Sequence, residues 1–427
     1  MNDKQLINVF WFRRDLRLYD NTGLDAALKD HLPVLPLFIF DENIISDLTV
    51  TDARISFIYD SLAAVNKELT KLGSSLCVKK GEPGEIFEEL SESYKIQTVF
   101  ANRDYEPYAI ERDQKVSSLL KKKGTGFLSF KDQVIFEEKE ILNSEGKAFT
   151  VFTSYKNRWI EKYSQVIKPL SSGRPRNNFI KSSFRFPSLK ETGFEKSDIR
   201  VKKYDLSCIE DYDKFRDYPA EDKTTRLGPY LRFGTVSIRY IAQIAAERNR
   251  VFLGELIWRE FFMQIIYNFP GVVTNNFRAR YNNIIWRNNE SEFLKWCKGE
   301  TGYRLVDAGM RQMNETGYMH NRVRMVVASF LCKHLLTDWR FGEAYFAEKL
   351  NDYELSSNNG NWQWAAGTGC DAAPYFRIFN PEIQAMKFDK DDVYTSRWLG
   401  AGYKVPQIVD HAPARERALQ AYRSALQ

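Results

Sequence analysis

Asn358-Asn359-Gly360-Asn361-Trp362-Gln363-Trp364, running on into Asp371-Ala372-Ala373-Pro374-Tyr375-Phe376-Arg377, is the stretch on which this chain turns. It packs amides, two alternate indoles, small residues and a lone acid into a short span. A plain core helix has no use for Asn-Asn-Gly beside Trp-Gln-Trp. Glycine allows close backbone approach. Indoles offer flat stacking faces with one polar handle each, and amides donate and accept at once. The mixture suits a pocket for a flat, heteroatom-rich ring with a base-like substrate beside it. Taken alone, the stretch also reads as a Trp-rich turn packing two helices.

Four more motifs precede it: Trp11-Phe12-Arg13-Arg14-Asp15-Leu16-Arg17, Thr224-Thr225-Arg226-Leu227-Gly228, Glu255-Leu256-Ile257-Trp258-Arg259-Glu260-Phe261 and Met319-His320-Asn321-Arg322-Val323-Arg324-Met325. In this order, the five together resemble the photolyase/cryptochrome family, and within it the class I cyclobutane pyrimidine dimer photolyases. The resemblance covers nearly the whole chain and is densest after Thr224. It implies FAD as cofactor and damaged DNA as partner. It also implies light-driven repair of cyclobutane pyrimidine dimers by an electron from excited reduced FAD. The alternative is a cryptochrome-type blue-light receptor without repair activity. The short tail after Pro381 favours repair, since signalling members usually carry a long extension.

The bulk properties agree with this class. At 427 residues the chain is long for one core, so two domains are expected. Hydrophobic content of 43% with 28% charge is ordinary for a globular protein. A net charge of +6 leans toward a polyanionic partner, and 14% aromatic residues favour stacking on bases. No apolar run reaches the roughly 20 residues of a membrane span, and the N-terminus is no signal peptide. The five cysteines, Cys77, Cys208, Cys297, Cys332 and Cys370, show no metal spacing and read as reduced thiols. The expectation is a cytoplasmic monomer with no membrane and no metal.

Strand and helix signals alternate through the first part. Strands are expected at Asn8 to Phe12, Val34 to Phe40, Ser75 to Val78, Thr98 to Ala101 and Phe127 to Phe130. Helices are expected at Asp52 to Leu72, Glu82 to Tyr94 and Tyr108 to Lys123. This alternation predicts an α/β domain with a doubly wound parallel sheet over 1–130, its ligand near the carboxyl ends of the strands. Without Gly-x-Gly-x-x-Gly, a nicotinamide dinucleotide is not supported. Residues 131–200 read as a linker with one helical piece, Phe152 to Tyr163, and a turn-rich run from Ser171 to Asn178. Residues 201–427 read as an all-α domain, with helices at Leu253 to Phe269, Tyr303 to Asn314, Tyr318 to Leu336 and Phe341 to Leu350.

Glu255, Trp258 and Phe262 stand at i, i+3 and i+7, so they share one helix face. A partly exposed rim carboxylate is the plain reading of Glu255. By the resemblance, Glu255 hydrogen-bonds the dimer's bases while Trp258 and Trp364 wedge against them, as an extrahelical dimer requires. Asn321 and Met325 lie one helical turn apart. Family members that repair 6-4 photoproducts carry two histidines here for proton transfer. An amide and a soft thioether suit a reaction that needs only an electron, although Met325 alone would read as core.

The resemblance also implies a flavin site. Asn358 faces flavin N5, and Arg324 with Asp352 lies beside the ring, with Tyr353 and Glu354 adjacent. Phe252 stands where some members have Trp. Tyr212 and Thr224, Thr225, Arg226, Leu227 and Gly228 match the adenosine and pyrophosphate grip, since hydroxyls and backbone N–H groups near a helix start hold phosphate. Trp286, Trp339 and Trp362 match the electron-transfer chain, though each alone reads as core. Arg216, Arg259, Arg322 and Arg377 are placed around the pocket for phosphate. A second, antenna chromophore is expected in the N-terminal domain. Tyr105-Glu106-Pro107-Tyr108 departs from the folate-binding pattern, so deazaflavin or a second flavin is favoured, with Trp11, Arg13, Asp104 and Glu106 as candidates.

Overall fold

The computed structural model describes residues 4–165 and 178–427. The run Ser171 to Asn177 of the expected turn-rich stretch lies outside the described residues. The chain divides into two compact units, each discontinuous in sequence. The first takes Met1–Glu137, Tyr163–Val201 and Leu227–Ile244; the second takes Glu138–Lys162, Lys202–Arg226 and Ala245–Gln427.

The first unit is built on a five-stranded sheet in the order β3-β2-β1-β4-β5. Its strands are β1 (Leu6–Phe12), β2 (Val34–Asp41), β3 (Cys77–Gly81), β4 (Lys95–Asn102) and β5 (Gly126–Phe130). All pairings are parallel, with Trp11 opposite both Leu37 and Ala101. β2 is buried at every position. That is why its sequence is a continuous apolar run rather than an alternating one. The crossover helices are α1 (Thr22–Lys29), α2 (Glu42–Ile45), α3 (Ala53–Lys71), α4 (Pro83–Ser93) and α5 (Pro107–Lys122). This is the expected doubly wound arrangement, with the order reversing between β1 and β4. α1 was not expected from the sequence. Asn21 caps it by accepting from Leu24 N, and the short apolar set Leu24, Ala27 and Leu28 packs it down.

The remaining helices are α6 (Phe152–Gln165), α7 (Tyr212–Phe215), α8 (Gly228–Arg232), α9 (Ile238–Arg248), α10 (Arg250–Asn268), α11 (Glu290–Lys298), α12 (Arg304–Thr316), α13 (Asn321–Ser329), α14 (Trp339–Lys349), α15 (Leu355–Ala366), α16 (Pro381–Phe388), α17 (Val393–Leu399) and α18 (His411–Ala425). The second unit is helical around one core that includes Trp296, Met310, Phe330, Trp339 and Trp362.

One expectation is corrected here. Tyr318 to Leu336 is not one α-helix: α13 ends at Ser329, and Phe330–His334 forms a π-turn. In that wide turn the buried Lys333 reaches the Ala366 carbonyl at 2.6 Å, at the end of α15. The opening motif is helical, in keeping with the all-α reading of 201–427, and the alternative of a Trp-rich turn falls away. α15 runs through Asn358 to Trp364 because its odd composition is consumed by close packing. A Cβ on Gly360 would fall 2.1 Å from the Phe262 ring of α10, and one on Gly342 of α14 would fall 2.1 Å from the Trp362 ring.

Candidate active site

α10 carries Glu255, Trp258 and Phe262 and α15 carries Asn358, Trp362 and Trp364, and the absent side chain of Gly360 lets the two helices approach. From α10, Glu255 and Trp258 are half-buried while Phe262 is 4% exposed, beneath Gly360. Phe262 also meets the Trp258 ring, with centroids 5.3 Å apart. Phe262 therefore backs the indole and does not present a surface itself. Arg216 holds Glu255 with an N–O distance of 2.7 Å. Burial pushes the Glu255 carboxyl above its ordinary range, while Arg216 and Lys156 pull it back. On α13, Asn321 is exposed and Met325 half-buried, one turn apart as expected. Trp364 is half-buried and packs against the core.

The arginines expected near phosphate are committed to carboxylates to different degrees. Arg259 pairs with Glu354 at 2.9 Å. Arg322 pairs with Asp217 at 2.6 Å and lies over the Phe388 ring. Arg377 is exposed.

A second group lies along α13, α14 and α15. Arg324 donates to both oxygens of Asp352, at 2.9 and 3.2 Å. Asn358 Nδ2 donates to Glu343 O at 3.0 Å and Glu343 Oε1 at 2.8 Å. Burial raises the Glu343 carboxyl, and the Asn358 amide opposes that shift. With its nitrogen taken, Asn358 has its carbonyl oxygen to offer, and this suits a ring N–H. Thr224 Oγ1 lies 2.9 Å from Tyr318 OH, and the Arg226 guanidinium covers the Tyr318 ring at 3.4 Å. Arg226 has a left-handed φ of 57° and an ion pair with Asp222. Thr225 is buried at 6%. Tyr212 meets Phe252 edge-on at 5.1 Å. Tyr353 packs against the core, and Glu354 also accepts from Ser357 Oγ at 3.1 Å. Leu227 and Gly228, at the start of α8, belong to the first unit.

This donor set fits a flavin nucleotide. It combines an amide acceptor, a half-exposed ion pair and a hydroxyl next to a cation. Glu343 and Tyr318 were not singled out by the sequence, because only the fold brings Glu343 to Asn358 and Tyr318 to Thr224.

Trp339 and Trp362 are buried in one cluster, and Trp286 packs half-exposed against it. Trp339 Nε1 donates to Asn276 Oδ1 at 2.8 Å. Trp286 meets Tyr422 edge-on at 6.0 Å.

In the first unit, a charged cluster stands past the carboxyl ends of β1, β2 and β4. Arg13 is bound bidentately by Asp113. The Arg13 and Arg112 guanidiniums each lie 4.9 Å from the Trp11 ring centroid. Arg14 pairs with Asp104 at 3.1 Å and Glu106 at 3.2 Å. Burial would raise the Asp104 carboxyl, but Arg14, Arg232, Arg112 and Arg13 together hold it well below the usual range. Among the described residues no cluster of side chains could hold a metal ion, and no helix is long and apolar enough to cross a membrane.

Residues 8–174 match the family model described as DNA photolyase, and residues 252–423 match the FAD binding domain of DNA photolyase. The chain is 36% identical to the deoxyribodipyrimidine photo-lyase of Halobacterium salinarum, over 95% of this chain and 92% of that one. It superimposes on an archaeal photolyase from Sulfolobus tokodaii that holds two FAD molecules, at 35% identity and a TM-score of 0.86, covering 97% of this chain and 99% of the other. It is similar also to a class III photolyase from Agrobacterium tumefaciens, at 31% identity and a TM-score of 0.86, covering 100% and 98%.

Proposed function

The chain belongs to the DNA photolyase family, and from that premise we propose that it repairs cyclobutane pyrimidine dimers in DNA with FAD and light. The observation that supports this reading is one contact. Gly360 on α15 lies directly against Phe262 on α10. It sets the helix with Glu255 and Trp258 against the helix with Asn358 and Trp364.

Reduced FAD held here would supply the light-driven electron chemistry for opening the dimer's ring, with no net redox change. The chain's own residues bind and orient. Asn358 offers its carbonyl to the flavin ring, beside the Arg324–Asp352 pair, with Phe252, Tyr353 and Glu354 around it. Tyr212, Thr224, Thr225 and Arg226 hold the nucleotide end. Trp258 and Trp364 stack on the extruded dimer. Glu255, kept in place by Arg216, accepts from a base edge. Asn321 and Met325 close the other side. Arg216, Arg259, Arg322 and Arg377 lie on the DNA side. Trp286, Trp339 and Trp362 carry electrons inward to recharge oxidised flavin.

The antenna belongs with segment 1–130 and the catalysis with helices of 201–427, but 131–200 is no separate linker: Glu138–Lys162 packs into the second unit and Tyr163–Val201 into the first, as does Leu227–Ile244 from within 201–427. A deazaflavin or flavin antenna, rather than folate, sits at the Trp11, Arg13, Asp104 and Glu106 cluster. The two-FAD Sulfolobus neighbour favours a flavin there.

The test is irradiation of the reduced protein with an oligonucleotide carrying one thymine dimer. Light-dependent loss of the dimer, absent in the dark, is expected. A flavin-loaded protein that leaves the dimer intact under light would overturn the repair reading and leave that of a light receptor.

A further inference from the structure

Trp258 does not stand free. The Phe152 ring lies parallel to it, with centroids 3.5 Å apart and 8° between the planes. Phe152 opens α6, and its N–H donates to Asp371 Oδ2 at 3.1 Å. A remote carboxylate thus satisfies an orphan donor at a helix start, where negative charge is favourable. One turn further on, Tyr155 OH and Trp159 Nε1 both donate to Glu260 Oε1, at 3.1 and 2.6 Å. Glu260 is 3% exposed and sits two residues beyond Trp258 on α10.

Phe152, Tyr155 and Trp159 stand at i, i+3 and i+7, on one face of α6. A buried carboxylate satisfied by these donors is costly to disturb. It sets the register of α6 against α10, and that register decides where Phe152 lands. Phe261 meets both rings, at 5.8 Å from Phe152 and 5.6 Å from Trp258.

We propose that Phe152 is a positioning residue for damage recognition: clamped by Asp371 and Glu260, it covers one face of Trp258 and fixes the tilt at which the indole meets an extruded dimer. This rests on the reading of Trp258 as a stacking wall. Held by Phe262 and Phe261 alone, at 5.3 and 5.6 Å, a half-exposed indole would keep more rotamer freedom and would have to be ordered on binding. Backed by a parallel ring, it is ordered beforehand. The effect belongs to affinity for damage, not to the photochemical step.

Phe152→Leu keeps apolar volume but removes the ring. Its affinity for a dimer-containing duplex should fall about three- to tenfold, the scale of one aromatic pair. Affinity for undamaged duplex, flavin content and the single-flash yield of pre-bound complex should not change. Phe152→Tyr, which restores a ring, should recover the damage affinity. In a Trp258→Ala background, Phe152→Leu should cost nothing further. Unchanged damage affinity in Phe152→Leu would overturn the proposal, as would an equal loss in the Trp258→Ala background. So would a parallel loss of flavin and of non-specific binding, the mark of a purely structural role. If Trp258→Ala itself leaves damage affinity unaltered, the stacking wall is refuted and the proposal falls with it. If only Phe152→Leu is silent, the wall stands and the backing does not.

Discussion

Gly360→Ala is the sharpest perturbation of the α10–α15 contact. The added Cβ would lie 2.1 Å from Phe262 Cδ1, 2.4 Å from Cε1 and 2.6 Å from Cγ. Non-bonded carbons rest at about 3.5–4.0 Å, so something must move by roughly 1.4 Å or more. The ring has little room, being 4% exposed and flanked by Trp258 and Phe261 at 5.3 and 5.7 Å. Overpacking of this kind costs about 1–3 kcal/mol, and such a contact belongs in the upper half. Against it, Ala is the better helix former by about 1 kcal/mol. The net loss is about 1–2 kcal/mol, a fall of roughly 2–8 °C in Tm for a unit of this size. Differential scanning fluorimetry would read it, with Gly271→Ala as control, since nothing lies within 4 Å of a Cβ there. Because Phe262 backs Trp258, damage-specific binding should weaken as well. A raised Tm, which helix propensity alone would give, refutes the close packing of α10 on α15.

Three other outcomes are expected. Trp258→Ala should weaken binding to a dimer-containing duplex by about 1–3 kcal/mol in a titration, the scale of one base–aromatic stack. Binding to undamaged duplex, dominated by phosphate contacts, should hardly change. Trp339→Phe should slow photoreduction of oxidised flavin, followed by absorbance, while pre-reduced enzyme still repairs; equal losses in both assays would count against the tryptophan chain. His320 accepts from Arg322 N through Nδ1, and burial, with Arg226, Arg324 and Arg322 nearby, lowers its pKa to about 4. The unfolded chain binds this proton from about pH 6.5 and the folded chain only near 4, so stability falls across that window as pH drops. About 2 kcal/mol should be gone by pH 5. Denaturant midpoints at pH 7 and 5 should converge in His320→Asn, which keeps a capping oxygen, and an unchanged slope would exclude His320 as the cause.

The interior of the sheet was legible because buried parallel strands write themselves as apolar runs. Val34 to Phe40 is such a run, and β2 extends it by one residue. β3 begins two and ends three residues later than expected, because it is an edge strand whose sequence runs through the charged Lys79 and Lys80. Charge at an edge is how sheets avoid pairing with other chains. α15 was hidden by its own specialisation, since Asn, Gly and Trp serve its neighbours rather than helix propensity. The pairing of Arg324 with Asp352 was legible through the resemblance, but other partners along the site were not. Glu354 for Arg259, Asp217 for Arg322 and Glu343 for Asn358 all come from other elements, by packing that no local pattern encodes. Phe152 carried no signal at all beyond an apolar position at the start of a helix.

The interleaving of the two units has a bearing on biosynthesis and on modular engineering. β2 of the first unit exchanges backbone bonds with a segment made much later: Val34 N donates to Asn178 O at 2.8 Å, and Val34 O accepts from Ile180 N at 2.9 Å. Later still comes Arg239, which pairs with Asp20 and Asp132, and Gly234, whose carbonyl receives Arg17 at 2.9 Å. A nascent chain that has just emitted its five strands therefore holds carboxylates and guanidiniums whose counterparts are not yet synthesised. At about 5–20 residues per second the wait lasts several seconds or more. No single scissor point frees either unit intact. A gene fragment ending at Glu137 should yield an incomplete, aggregation-prone product, and recombination that swaps one unit for a relative's must exchange at least three stretches together.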